Sequence, residues 1–164
     1  MLTAPNQNNQ LCIMNYELIK ELISFEEEVF SCPADRFSAR SLKRLLGSDR
    51  AFCVILRDKD KNIYGWVVGF MRNFKIPSGR VCKIAVREDC RGKGIGSWLL
   101  KQVEFYFKSN GMQKICAEVR ENNAPSLAMF KKNGYEQTST LYGYYPNQSD
   151  GLDLENAIKL WKSL

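Results

Sequence analysis

Three apolar runs follow one another between Ala51 and Val86: AFCVILR, IYGWVVGFMR and RVCKIAV. The connections between them, DKDKN and a segment closing in IPSG, carry turn residues. Strands joined this tightly pair antiparallel, because a parallel return needs roughly a dozen residues of crossover. AFCVILR is apolar at both alternating sets of positions, which marks a strand covered on both faces. This run of hairpins argues against an all-helical chain and against a doubly wound parallel sheet.

Helical patterns surround the hairpins. Over 14–30, apolar side chains recur at Met14, Leu18, Leu22, Phe25 and Val29, with Ile19, Ile23 and Phe30 beside them, and Pro33 ends the segment. A shorter helix fits 38–46, capped by Ser38, stopped by Gly47 and facing inward with Leu42, Leu45 and Leu46. Ile95, Trp98, Leu99, Val103, Tyr106 and Phe107 follow helical spacing up to Asn110-Gly111. KICAEV reads as a strand. Asn123 and Pro125 start a short helix holding Leu127, Met129 and Phe130, which Gly134 ends. YEQTSTLY reads as a further strand. The closing LENAIKLWKSL fits a helix through Leu154, Ile158 and Trp161, and a strand through Ile158, Lys159 and Leu160. The expected order is α-α-β-β-β-α-β-α-β plus this last element.

A chain of 164 residues suits one domain. The polar residues 1–10 read as a loose tail rather than a signal peptide, leaving 11–164 as the domain. No apolar run is long enough to cross a membrane. Six cysteines form no CxxC pair, and Cys53, Cys82 and Cys116 sit inside strand-like runs. The expectation is reduced, mostly buried thiols in a cytoplasmic protein. There is no histidine, which removes histidine-based zinc sites, Ser-His-Asp triads and Cys-His dyads, and no metal site is expected. A net charge of +6 admits an anionic ligand or a plain basic surface, and no clustered basic-aromatic motif supports nucleic-acid binding.

The stretch KIAVREDCRGKGIGSWLL (Lys83–Leu100) carries the chemistry. It leaves a strand through charged residues, places glycine at 92, 94 and 96, and starts a helix on the last of them. A helix start offers unpaired N–H groups and the positive end of the dipole, and glycine lets backbone approach an anion closely. Arg91 and Lys93 add positive charge. The simpler reading is a glycine-rich turn with a cap. Among phosphate loops, a Walker loop would need Gly-Lys-Ser/Thr after its spacing, which is missing. The dinucleotide fingerprint GxGxxG does not match Gly-x-Gly-x-Gly, although Glu118 ends the next strand where a ribose-binding acid would stand.

A third option is coenzyme A. Arg91-Gly92-Lys93-Gly94-Ile95-Gly96 resembles the R/Q-x-x-G-x-G/A loop of the GNAT acetyltransferase superfamily. AEVRENNAPSLAMFKKNGYE resembles that family's next strand and asparagine-started helix. YGYYP resembles the loop before the last strand in the ribosomal-protein alanine N-acetyltransferase branch. The resemblance runs from about Met14 to the C-terminus. It implies an α/β GNAT fold, also called the acyl-CoA N-acyltransferase fold: a mixed, mostly antiparallel central sheet with flanking helices, the final segment a strand. It implies that the strands carrying Ile84 and Glu118 splay apart, with Ile84, Ala85 and Val86 pairing their backbone with the pantetheine arm of acetyl-CoA. It assigns the pyrophosphate to Gly92, Lys93, Gly94, Ile95, Gly96 and Ser97, with Arg91 opening the motif, and a cofactor contact to Asn123 and to the position of Phe130.

The same resemblance makes Glu118 the general base for an acceptor amine. Without the family, Glu118 reads equally as a surface glutamate or as an ion-pair partner of Arg120. Phe130 stands where many relatives carry the tyrosine that protonates the departing thiolate, so water or one of Tyr135, Tyr142, Tyr144 and Tyr145 would take that step. FSCPADRF, with Phe30 and Pro33, and LYGYYP, with Tyr144 and Tyr145, correspond to the two loops that flank the acceptor. The tyrosines read equally as packing for the last hairpin. The expected activity is acetyl transfer to an amine, best matched by a protein N-terminus. A small-molecule amine, or non-catalytic acyl-CoA binding, is the alternative. The expected partners are acetyl-CoA and the acceptor, with neither membrane nor nucleic acid, the chain acting as a monomer or homodimer.

Overall fold

A computed structural model describes residues 16–146 and 153–164. In chain order the elements are α1 (Tyr16–Val29), a 3-10 turn (Pro33–Asp35), α2 (Ala39–Leu46), β1 (Ala51–Arg57), β2 (Ile63–Arg72), β3 (Ser78–Val86), a second 3-10 turn (Glu88–Cys90), α3 (Ile95–Ser109), β4 (Lys114–Arg120), α4 (Ala124–Lys132), β5 (Glu136–Pro146) and β6 (Leu154–Ser163). The strands make one sheet of six in the order β1-β2-β3-β4-β6-β5. Each neighbouring pair is antiparallel except β3 with β4. This is the mixed, mostly antiparallel sheet with flanking helices that the sequence leads one to expect. The expected tail and Cys12 lie outside the described residues.

Both faces of the sheet are covered, which is why β1 and β2 are apolar at alternate positions in both phases. On one face, Leu18, Ile19, Leu22 and Phe25 of α1 and Leu42 of α2 pack on Cys53, Trp66, Val68 and Ala85. On the other, Leu99, Leu100, Val103 and Phe107 of α3 pack on Val54, Val67, Val81, Ile115 and Ala117. The helix starts follow local chemistry. The Ser38 hydroxyl accepts from the Ser41 N–H at 3.2 Å to open α2. Asn123 Oδ1 accepts from the Ser126 N–H at 3.1 Å to open α4, whose first turn holds Pro125.

Two boundaries depart from expectation. Ser78 and Gly79 belong to β3 and not to the preceding turn, because they pair with both Arg72–Met71 of β2 and Lys114–Ile115 of β4. LYGYYP is not a loop: β5 continues to Pro146, and a register break between Leu141 and Tyr145 takes up the extra residues around Gly143, where φ is 57°. The ambiguous tail is strand β6, held between β4 and β5. The described cysteines, Cys32, Cys53, Cys82, Cys90 and Cys116, are free, with Cys53 and Cys116 buried and the other three half-buried.

The sheet's one parallel pair is short. β3 and β4 are in register only over Ser78–Val81 and Lys114–Ala117. Beyond that, Lys83–Val86 pair with β2 alone and Glu118–Arg120 pair with β6 alone. The parting starts at Cys82, the extra residue between the pairs Gly69–Val81 and Val68–Lys83. A bulge of this kind bends its strand away from its neighbour.

Phe107 of α3 is fully buried against this junction, and glycines make room for it. A Cβ on Gly69 would stand 2.6 Å from Phe107 Cζ, and one on Gly79 would stand 2.0 Å from Phe107 Cδ2. Gly79→Ala is therefore expected to lower stability by about 1–3 kcal/mol through overpacking. A fall in the urea midpoint at constant m-value reads it out, with partial recovery in Gly79→Ala/Phe107→Leu. An unchanged midpoint in Gly79→Ala would mean that the ring has room to spare.

Candidate active site

The glycine loop joins β3 to α3 through the 3-10 turn at Glu88–Cys90. Gly92 and Gly94 have φ of 74° and 81°, left-handed values that a side chain resists, and a Cβ on either would meet nothing within 4 Å. Gly96 serves a different purpose. Its φ is unexceptional, but a Cβ there would stand 2.7 Å from Met129 Sδ, so this glycine lets α4 lie close against the start of α3. Gly94 takes the N-cap position of α3, and no side chain caps the helix. The first N–H groups of a fifteen-residue helix are thus left to an outside acceptor. Arg91 folds back, its Nε donating to the Val86 carbonyl at 3.0 Å, and Lys93 Nζ donates to the Asp89 carbonyl at 2.8 Å. Both cations stay beside the loop. Ser97 Oγ accepts from Asn133 Nδ2 at 2.9 Å, tying α3 to the end of α4.

The strands flanking the opening carry the other candidates. On β3, Ile84 and Val86 are half-buried towards α3, and Ala85 is buried towards α1. On β4, Glu118 stands at the first position beyond the parallel pairing. Its side chain is only 6% exposed, and Arg80 Nε reaches its Oε2 at 2.7 Å. Burial opposes the charge of Arg80, but the Glu118 carboxylate outweighs it and holds the guanidinium above its ordinary range. Oε1 of Glu118 takes no hydrogen bond from any described residue. The site thus contains a buried carboxylate with one oxygen neutralised and the other open. The alternative pairing with Arg120 does not form, although both side chains lie on the same face of β4.

Arg120 instead joins three segments. Its Nη2 and Nε donate to Asp35 Oδ1 at 2.6 and 3.0 Å, and its Nη1 donates to the Pro146 carbonyl at 2.7 Å and to Glu155 Oε2 at 2.8 Å. It also lies over the Tyr145 ring. The connection between α1 and α2 and the far end of β5 are both anchored on this buried guanidinium. A second anchor sits deeper. Glu26 is fully buried, accepting from Trp66 Nε1 at 3.2 Å and from the Phe37 N–H at 2.9 Å, and paired with Lys83 Nζ at 2.5 Å. Lys83 Nζ also donates to the Asp35 carbonyl and lies over the Phe30 and Phe37 rings. Burial lowers the Lys83 pKa against the opposing pull of Glu26. Phe30 is half-buried by these contacts, and Pro33 is exposed on the 3-10 turn.

Phe130 is 4% exposed and packs edge-to-face on Tyr135, with ring centroids 5.0 Å apart. The four tyrosines named as substitutes for its missing hydroxyl now separate. Tyr135 is buried, and burial and then Glu104 push its phenol up. Tyr145 donates its hydroxyl to the Glu118 carbonyl at 3.0 Å, and burial, then Tyr144 and Glu118, push its pKa up to about 12. Tyr142 is 84% exposed. Tyr144 alone has a hydroxyl that accepts, from Arg80 Nη2 at 3.0 Å, leaving its own proton to give.

Sequence reasoning missed Arg80, Lys83, Glu26 and Asp35 as members of this region. Arg80 and Lys83 were legible as cations inside an otherwise apolar strand. Their carboxylate partners lie 38 and 57 positions away and carry no local signal.

Similarity to known proteins follows the same elements. The chain is 32% identical over 101 residues to an N-alpha-acetyltransferase of Saccharolobus solfataricus, covering 56% of this chain and 60% of that protein. It is 26% identical over 146 residues to a putative phosphinothricin acetyltransferase of Bacillus subtilis, covering 83% and 79%. The matches span about three fifths of the length of the first curated relatives, at 63% and 60%. Among solved structures, the ribosomal-protein-S18-alanine N-acetyltransferase of Escherichia coli superposes with a TM-score of 0.75 at 19% identity, over 94% of this chain and 93% of that one, a likeness of fold. The model of the acetyltransferase (GNAT) family matches residues 16–135, from the start of α1 through β3, the glycine loop, β4 and α4. The chain belongs to the GNAT acetyltransferase family.

Proposed function

We propose that this chain is an N-acetyltransferase that moves the acetyl group of acetyl-CoA to an amine, best matched by the α-amine of a protein N-terminus. The observation that carries the reading is the parting of β3 and β4 between the uncapped start of α3 and the half-neutralised carboxylate of Glu118. The names of the Saccharolobus solfataricus and Escherichia coli proteins favour the N-terminal acceptor. The Bacillus subtilis relative favours a small amine, the second reading.

The residues fit the cosubstrate. The N–H groups opening α3 face open space over Gly92 and Gly94, as a pyrophosphate requires. The edge of β3 at Ile84–Val86 has lost β4 as a partner, and apart from the Val86 carbonyl that Arg91 holds it is open to an extended arm. Asn123 commits Oδ1 to its cap and keeps its amide N–H groups for a donor role. Acetyl-CoA supplies an activated acyl group as a thioester.

Within this reading, the chain's own groups do three things. Glu118 Oε1 takes the amine proton, directly or through water, while Arg80 holds Oε2. Arg120 and Lys83 hold the segments carrying Phe30, Pro33 and Tyr145, so that an acceptor enters a fixed opening. Tyr144 or water returns a proton on the far side of the reaction. A thiol of ordinary pKa, about 8.5, leaves as a tolerable thiolate, so the apolar Phe130 does not block turnover.

A panel of N-terminal peptides, lysine peptides and small amines, with the product located by mass spectrometry, tests the reading. Acetyl on α-amines supports it, acetyl on small amines alone selects the second reading, and coenzyme A binding without turnover on any amine overturns both. Glu118→Gln is expected to lower kcat by about 10²–10⁴-fold near neutral pH with coenzyme A affinity unchanged. The deficit should shrink as pH rises and more of the amine is already neutral. A wild-type rate would make Glu118 structural.

Gly94→Val places a β-branched residue at φ 81° and is expected to weaken coenzyme A binding in calorimetry while the circular dichroism stays that of a folded chain. Arg120→Lys keeps the charge and loses the fork. It is expected to raise the acceptor KM roughly ten- to hundredfold, since small misplacements of an acceptor cost that much. Coenzyme A affinity should be unaffected, and equal loss in both would point to general unfolding.

A further inference from the structure

The sheet face that carries Glu118 is covered by α1 and α2 over β1, β2 and the distal part of β3. Towards the other ends of the strands it carries cations. Cross-strand pairing puts Arg80, Cys116 and Trp161 in one row of this face. Arg72 and Lys114 belong to the next row, and Lys159 stands opposite Glu118. Lys114 Nζ lies 4.5 Å, Lys159 Nζ 5.6 Å and Arg72 Cζ 6.0 Å from the centre of the Trp161 ring. None of these three cations pairs with a described carboxylate. Arg72 turns Nη2 to Cys116 Sγ at 2.8 Å, and its Nε is buried without a partner. Of the acids on this face, Glu118 is taken by Arg80, Glu155 is paired with Arg120, and Glu136, opposite Trp161 in register, pairs with neither lysine.

One indole offsets only part of the repulsion among three cations gathered around it. A negative group arriving on this face would meet positive charge that no described carboxylate offsets. We propose that the face reads acidic side chains of the acceptor, a few residues downstream of the amine that Glu118 serves. This rests on the reading of Glu118 as the base for a protein N-terminus.

Placement favours an acceptor chain. Lys159 is the cross-strand neighbour of Glu118, and Lys114 lies four residues back along β4, roughly 13 Å or about four extended residues away. A chain whose amine reaches Glu118 can cross Lys159 and Trp161 within its first few residues. Half-buried cations grouped around one indole suit single carboxylates better than the evenly spaced charges of a phosphate backbone.

The test uses three peptides that share their first two residues and differ only in the next three, which are glutamate, glutamine or lysine. At low salt, kcat/KM should favour the glutamate peptide over glutamine by roughly tenfold, with lysine lower still. Added salt should shrink the spread. Lys114→Glu/Lys159→Glu should reverse the ranking, while kcat on a dipeptide amide, too short to reach the face, stays at the wild-type value. Should that variant not fold, Lys114→Gln/Lys159→Gln should abolish the ranking instead. No ranking among peptides that are all acetylated, or a ranking that survives both double variants, overturns the proposal. So does inhibition by an RNA oligonucleotide without any peptide ranking, which would assign the face to nucleic acid. Acetylation of small amines with no peptide product is a separate result, and it removes the N-terminal reading along with this inference.

Discussion

β3 and β4 run parallel for four residues and then separate, and the candidate site exists because they do. Parallel strands hold together only while each N–H and C=O on the facing edges finds its counterpart. Cys82 breaks that condition by adding one residue to β3 in its pairing with β2. β2 continues to direct β3 and β6 continues to direct β4, so the two halves of the sheet follow different partners from that point. The separation leaves the backbone edge of Ile84–Val86 without a neighbouring strand on one side and the Glu118 side chain on the other. Phe107, seated on Gly69 and Gly79, fixes α3 against the junction just before the strands part.

Ion pairs hold the walls of the opening. Glu26 with Lys83, Glu118 with Arg80, and Arg120 with Asp35 and Glu155 each join sequence-distant segments. Buried pairs of this kind repay their desolvation only when geometry is good and further hydrogen bonds complete them. Glu26 meets the condition with Trp66 and Phe37, and Arg120 meets it with the Pro146 carbonyl. An apolar wall would pack as tightly but would leave the α1–α2 connection and the end of β5 free to slide. Directional bonds fix both relative to Glu118.

The three glycines of the loop illustrate how one motif serves two demands. Gly92 and Gly94 supply left-handed backbone and an open surface before α3. Gly96 is required by Met129, which lies where its side chain would be. The alternation in sequence suggests a single purpose, yet the missing side chain answers a backbone conformation at the first two positions and close packing at the third. The third bears on how α4 is held.

Hairpin order, helix positions, helix caps at Ser38 and Asn123 and the loop-helix junction were all legible in the sequence, because each is set by neighbours within a few residues. Glu118 was legible as a candidate through its place at a strand end, and the motif resemblance supplied the role proposed for it. The state of LENAIKLWKSL was not legible locally, since its apolar positions satisfy both periods, and pairing with β4 and β5 decided for the strand. Which cation faces Glu118 was equally undecidable. Arg120 is two residues away and shares its face, but the register of β3 against β4 brings Arg80 within 2.7 Å, and Asp35 draws Arg120 off. Local chemistry determines where a strand starts, where a helix is capped and which residues are able to ionise. Only long-range register decides which charges meet, because a one-residue change in pairing turns each side chain to the opposite face of the sheet.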